Sequence, residues 1–276
     1  MKEKKPRPLI DIQSREDGRN IAIDKVGIKD IHYPIILLDK KEKEQHTIAR
    51  INMFVDLPGK FKGTHMSRFI EILNRYRNAI HVDILPDILK KMKEVFSAGR
   101  AHFEITFPYF IAKEAPVSHS EGLMEYRCSF KAASFADDRE DDFVLEVEVP
   151  FTTLCPCSKE LSQDGAAHNQ RSWGRVAIRC RRMVWIEDLV EMIEACASAP
   201  LYSVLKRPDE RFVTEKAYNN PKFVEDVARD IALALDRNDA ILWYHIEVEN
   251  FESIHNHSAY ACIERWKSGD RKGEKH

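Results

Sequence analysis

The residues with the most chemical content lie in Phe151–Glu160, FTTLCPCSKE, where Cys155 and Cys157 flank Pro156, and in HNQR, whose His168 follows Cys155 by thirteen residues. Thiolate and imidazole nitrogen are the ligands that zinc-class metals prefer, and a catalytic site of that kind takes three protein ligands and keeps one position open. Cys155 and His168 would supply two of the three from the two ends of one loop. Two small buried thiols are the ordinary reading of C-x-C alone, but a histidine in a loop containing SQDG is poor core material. The third ligand has to be a carboxylate or another histidine. KRPDERFVTEKAYNNPKFVED offers Asp209, Glu210, Glu215, Glu225 and Asp226, most of them expected to be solvated. Glu225 stands apart, because it falls in the first turn after Asn220–Pro221, where the helix dipole keeps a carboxylate ionised. It lies off the apolar stripe, which suits either accepting N–H groups of a ligand or capping the helix. In ESIHNHSAY, His255 and His257 are two apart and share a side of any regular strand. Either could serve as a general acid/base or as a hydrogen-bonded sheet residue. Lys159, Arg171, Lys206 and Arg207 flank these segments and could hold phosphates.

These groups need a scaffold, and hydrophobic spacing supplies its outline. Residues 1–30 are polar and read as a loose arm. IARINMFVDL (49–58) alternates as a strand, MSRFIEILNRYR and LPDILKKMKEVFSAG have helical spacing, and HFEITFPYFIAK and LMEYRCSFKAASF alternate again. ADDREDD (136–142) reads as an exposed turn. The order then repeats, with strands in FVLEVEVPFT and WGRVAIRCRRM, a helix in IEDLVEMIEACAS and a second helix in NPKFVEDVARDIALALDRN. Asn220 is the expected N-cap of that helix, Pro221 its first residue, and Val224, Val227, Ile231 and Leu235 its apolar face. ILWYHIEVENF and SAYACIERW close the chain as strands. The pattern β-β-α-α-β-β, twice, predicts an α+β fold: an antiparallel sheet with helix pairs on one face. Its halves fall at about 31–137 and 142–267 within one unit over 31–276. The other sheet face also needs a cover, and a barrel assembled from several subunits would provide one while removing exposed strand edges.

Composition narrows the functional classes. The chain has 276 residues, 43% hydrophobic and 32% charged, with a net charge of −2, so it lacks the global basic field of a duplex nucleic-acid binder. The charged start MKEKKPRPLIDIQSREDGRN is no signal peptide, and no apolar run approaches the roughly 20 residues of a membrane span. The six cysteines are scattered through apolar segments, which suits a reducing cytoplasm, where C-x-C binds metal or catalyses rather than forming a staple.

Taken together and in order, LCPCSKELS, HNQRS, KRPDERFVTEKAYNNPKFVEDVARD and ESIHNHSAYA resemble the type IB GTP cyclohydrolases of the tunnelling-fold superfamily, over most of the chain from about residue 30. One departure is that Gly165–Arg171 reads G-A-A-H-N-Q-R, where the family's loop has a single alanine. The resemblance implies conversion of GTP and two waters to 7,8-dihydroneopterin triphosphate and formate, the first step of folate-type pterin synthesis. It also implies a cytoplasmic homotetramer with sites between subunits and a divalent metal, Zn²⁺ or Mn²⁺, held less rigidly than in type IA enzymes. By resemblance Cys155, His168 and Glu210 are the metal ligands, Glu225 anchors the guanine edge, and His255 carries protons. Arg171, Lys206 and Arg207 are then the triphosphate contacts. Within the same superfamily, a nitrile reductase with a nucleophilic cysteine and NADPH is the rival, but its E-[SL]-K-[SA]-x-K-x-Y signature is not found here. A binding module closed by a structural metal would need a fourth protein ligand such as Cys157.

Overall fold

The computed structural model describes residues 13, 15–77, 80, 82–136 and 141–267; residues 137–140 of the expected acidic turn lie outside them. β1 (Ile23–Asp39), β2 (Lys43–Leu57), α1 (Ser67–Tyr76), α2 (Leu85–Phe96), β3 (Ala101–Glu114) and β4 (Glu121–Ser134) form the first run. The second comprises β5 (Asp142–Leu154), α3 (Pro156–Leu161), β6 (Asn169–Cys180), α4 (Ile186–Ala195), β7 (Ala199–Pro200), α5 (Arg207–Asn219), α6 (Val224–Asp236), β8 (Ile241–Asn250) and β9 (Ala259–Trp266). Among the described residues the strands make one antiparallel sheet in the order β1-β2-β3-β4-β5-β6-β8-β9, with β7 paired to the end of β5. The expected α+β architecture is present.

One face of this sheet is the core. Ala49, Ile51, Met53 and Val55 of β2, Phe103, Ile105 and Phe107 of β3, and Val147, Val149 and Phe151 of β5 are buried at every second position, as a two-residue side-chain period requires. Phe69, Ile72 and Leu73 of α1, Ile88, Leu89 and Met92 of α2, Leu189, Val190 and Ile193 of α4, and Val227, Ile231 and Leu235 of α6 close over it in one cluster. Each large apolar side chain so buried contributes about 1.5–3 kcal/mol. The opposite face is charged: Lys131 meets Glu146 at 2.9 Å, and Arg175 bridges Glu148 and Glu247 at 2.9 and 3.1 Å. The Arg179 guanidinium lies 4.1 Å from the Trp243 ring centroid. No helix among the described residues is long and apolar enough to cross a membrane.

α3 and β7 were not anticipated from the sequence, and three further elements depart from the sequence-based expectation. β1 begins at Ile23, inside the segment expected to be a loose arm. It is an edge strand whose first half is charged and largely exposed, and within it only Ile35 and Leu37 are buried. α6 begins at Val224 with Phe223 as N-cap, not at Asn220–Pro221. Asn220 instead ends α5, and its Nδ2 donates to the carbonyls of Ala197 and Ser198 at 2.9 and 3.2 Å. α5 itself was not anticipated, because RPDERFVTEKAYN buries few apolar residues and is held mainly by polar contacts.

Candidate active site

Along β5 the core face reads Val147, Val149, Phe151, Thr153 and then Cys155, just beyond the strand. Leu154 pairs with Asn169 of β6, and the ladder continues with Cys155 N–H donating to His168 C=O at 3.1 Å. Cys155 and His168 therefore continue the β5–β6 pairing one step beyond its last rung, on the same face as Thr153 and Gln170. Pro156 stops the strand and opens α3, since it lacks an N–H and its φ is already helical. Cys155 becomes the N-cap, its Sγ accepting from Ser158 N–H at 3.4 Å. The His168 N–H donates to Ser158 Oγ at 3.0 Å. Between them the loop turns at Gly165, whose φ of +70° is the left-handed region glycine tolerates. The additional alanine is absorbed in this loop, and the cross-strand pairing of His168 with Cys155 is intact.

Two further segments are tied to this pair by backbone. Lys222 N–H donates to Leu154 C=O at 3.0 Å, which brings the N-terminus of α6, and Glu225 with it, beside the end of β5. Capping there falls to Asp226, which accepts from Phe223 N–H at 3.0 Å, so Glu225 is exposed and free of that duty. Phe251 N–H donates to Arg171 C=O at 3.0 Å and lays the loop 251–258 against β6. His255 and His257 sit in this loop rather than in a regular strand, both exposed, their rings stacked at 5.1 Å. The chain bends between β8 and β9 here, so the strand alternation expected of them does not apply. Glu252 Oε2 and Ser253 Oγ approach His168 Nδ1 at 4.0 and 3.4 Å.

α5 carries Lys206 at its N-cap, then Arg207 and Glu210. Its start is pinned by Asp209, which is fully buried and not solvated as expected. Asp209 accepts from Val117 N–H, Ser118 N–H, Ser118 Oγ–H and Lys206 N–H at 2.6–2.9 Å. Burial opposes its charge, but the hydrogen bonds from Ser118, Lys206 and Val117 prevail and hold its carboxyl below the usual range. This anchor leaves Lys206, Arg207 and Glu210 on the exposed flank. Glu215 pairs with Arg211 at 2.7 Å. Lys159 is committed as well, donating to Tyr218 C=O at 2.6 Å and lying 4.0 Å over its ring. By contrast, no ion pair among the described residues holds Arg171, Lys206 or Arg207.

The pair of donors fits a metal. Burial pushes the thiols of Cys128, Cys180 and Cys196 up, Cys196 to about 11, which disfavours thiolates there, while Cys155 is half-buried beside an imidazole and Cys157 is exposed. Among the described residues no group of three His, Cys, Asp or Glu converges. The structure thus brings Cys155 and His168 together and does not bring Glu210 onto them. Sequence reasoning named Asp209 only as a candidate ligand expected in solvent, and missed Glu252 and the polar strand residues behind His168, whose types are ordinary in solvent-facing positions.

A family model for type I GTP cyclohydrolase folE2 matches residues 9–261. GTP cyclohydrolase FolE2 of Geotalea uraniireducens is 60% identical over 259 residues, 94% of each chain. That of Syntrophobacter fumaroxidans is 58% identical over 259 residues, 94% of this chain and 100% of the other. Among solved structures, uricase from Arthrobacter globiformis superposes with a TM-score of 0.54 at 8% identity, covering 91% of this chain and 96% of that one. Urate oxidase from Bacillus sp. TB-90 gives 0.52 at 8%, covering 89% and 100%. At such identity the likeness is one of fold, the tunnelling fold. The sequence relatives carry the narrower conclusion: the chain belongs to the type I GTP cyclohydrolase family of FolE2.

Proposed function

We propose that the protein opens the imidazole ring of GTP with two waters, releasing formate and forming 7,8-dihydroneopterin triphosphate, at the site headed by Cys155 and His168. The observation that supports this most is their placement opposite each other, just past the end of β5 and just before the start of β6, with α6 and the histidine loop tied alongside. Cys155 and His168 would hold a divalent metal, Zn²⁺ or Mn²⁺, with Glu210 as third ligand by family resemblance. When bound, it supplies Lewis acidity that lowers the pKa of water for attack on C8.

The chain's own groups do the rest. Glu225, at the positive end of α6, accepts the guanine N–H groups and aligns C8 with the metal centre. His255 moves protons during ring opening and the later rearrangement of the ribose. Arg171, Lys206 and Arg207 neutralise the triphosphate with charges that no carboxylate among the described residues claims. In our reading the enzyme is a cytoplasmic homotetramer of one catalytic unit in two tandem halves, about 31–137 and 142–267, with Glu210 delivered to the site on assembly. Incubation with GTP and Zn²⁺ or Mn²⁺, followed by assay for formate and for a fluorescent pterin after oxidation, tests the proposal. Formate without a pterin, or neither product with any divalent metal, would refute it.

A further inference from the structure

Behind His168 runs a row of buried polar side chains on the face where β5, β6 and β8 otherwise build an apolar core. Gln170, Thr153 and Ser172 are 6%, 0% and 0% exposed. His168 Nδ1 lies 3.0 Å from Gln170 Oε1, Gln170 Nε2 donates to Thr153 Oγ1 at 2.9 Å, and the Thr153 and Ser172 hydroxyls are 2.9 Å apart. Ser172 faces Asn250 across the β6–β8 ladder. Asn250 is 2% exposed, and its Oδ1 has no partner among the described residues.

Such a row can be bonded in two directions, because the amide oxygen and nitrogen of glutamine exchange on a flip. The ring's other neighbours select the sense in which every donor points away from it, from His168 Nδ1–H to Gln170, Gln170 to Thr153 and Thr153 to Ser172. Glu252 Oε2 and Ser253 Oγ stand 4.0 and 3.4 Å from the same ring nitrogen. A carboxylate beside Nδ1 favours a proton on it.

We propose that this row, acting through Gln170, fixes His168 as the Nδ1–H tautomer and so presents its Nε2 lone pair to the metal. Gln170 is a positioning residue, and Thr153 and Ser172 hold its amide in the required sense. Histidine ligands are oriented in this way by an acceptor on the far nitrogen, whose loss costs about 10–100-fold in metal affinity. The inference rests on the metal reading of Cys155 and His168.

Full-length protein labelled with ¹⁵N-histidine and stripped of metal by a chelator reports the tautomer from its ring-nitrogen shifts. His168 is identified by the signals missing in His168→Asn. Nδ1–H is expected in the wild type and in Gln170→Glu, whose carboxylate still accepts. Gln170→Leu should lose that preference, and its zinc affinity, measured by chelator competition, should fall by about 10–100-fold, whereas Gln170→Glu stays near the wild-type value. Thr153→Val, which removes only the hydroxyl that orients the amide, should shift both readouts the same way and serves if Gln170→Leu does not fold. A bare Nδ1 in the wild type overturns the proposal. So does retention of both tautomer and zinc affinity in the foldable variant. Undiminished zinc binding by Cys155→Ala and His168→Asn would instead sink the metal reading beneath it, with the tautomer result standing separately.

Discussion

Cys155 and Cys157 are separated only by Pro156, yet only Cys155 lies opposite His168, while Cys157 is exposed on α3. Cys155→Ala should abolish turnover and weaken metal binding, since the soft thiolate is the strongest donor present. Cys157→Ala should keep metal and some activity. Metal content and formate release on both variants check this, and exchanged effects would mean the other thiol is the ligand. Glu225→Gln should fold and retain metal but lose GTP affinity. The amide offers an N–H where an acceptor is needed, leaving donors on the base unpaired at a cost of roughly 1–3 kcal/mol each. Unchanged binding in a GTP titration would remove Glu225 from the site. The two stacked histidines divide similarly: His255→Ala should lower the chemical rate by roughly 10²–10⁴-fold with GTP and metal still bound, and His257→Ala, at an exposed loop position, should change rate and stability little. Single-turnover formate release separates them, a slow His257 variant beside a near-normal His255 variant reversing the assignment.

At the scale of elements, the site depends on short devices that join strands to helices. Asp209 pins the start of α5 to the β3–β4 turn through acceptor bonds to backbone N–H groups. Its folded pKa lies below its unfolded value of 3.8, so its contribution is complete above about pH 4 and lost as pH falls through the folded pKa. The difference in Tm between the wild type and Asp209→Asn should therefore be largest near neutral pH and shrink in acid. A difference that grows in acid would contradict the clamp. Gly165→Ala places a Cβ 2.9 Å from Tyr218 Oη at a φ of +70° and should cost about 1–2 kcal/mol, read by denaturant unfolding. The amphipathic helices and alternating strands were legible because their apolar periodicity is what packs them. α5 was not legible, because its key buried side chain is an aspartate. β1 was not, because its first half is charged and its second, IHYPIILL, is a nearly unbroken apolar run, so neither half alternates. Cys155 and His168 could be read from type and spacing. The Gln170–Thr153–Ser172 row could not, because only the β5–β6 register reveals that these polar residues lie on the core face.

The whole molecule presents a sheet with one charged face and two edge strands, β1 and β9, the first partly covered where Ile36 bonds to Arg77 and Ile80. In the proposed assembly, neighbouring copies would enclose the charged face and bring Glu210 of α5 to the Cys155–His168 pair, where no group of three ligating side chains converges among the described residues. Sedimentation equilibrium should accordingly give a species four times the 32.1 kDa chain, and full activity in a monomer would remove the need for assembly. Cys155 and His168 are expected to hold the catalytic metal, and anomalous diffraction from crystals grown with Zn²⁺ tests this most directly. One peak per chain is expected at about 2.3 Å from Cys155 Sγ and about 2.0–2.1 Å from His168 Nε2, with a carboxylate as third protein ligand and one position open. A peak closed by four protein ligands including Cys157, or bound through His168 Nδ1, would contradict it.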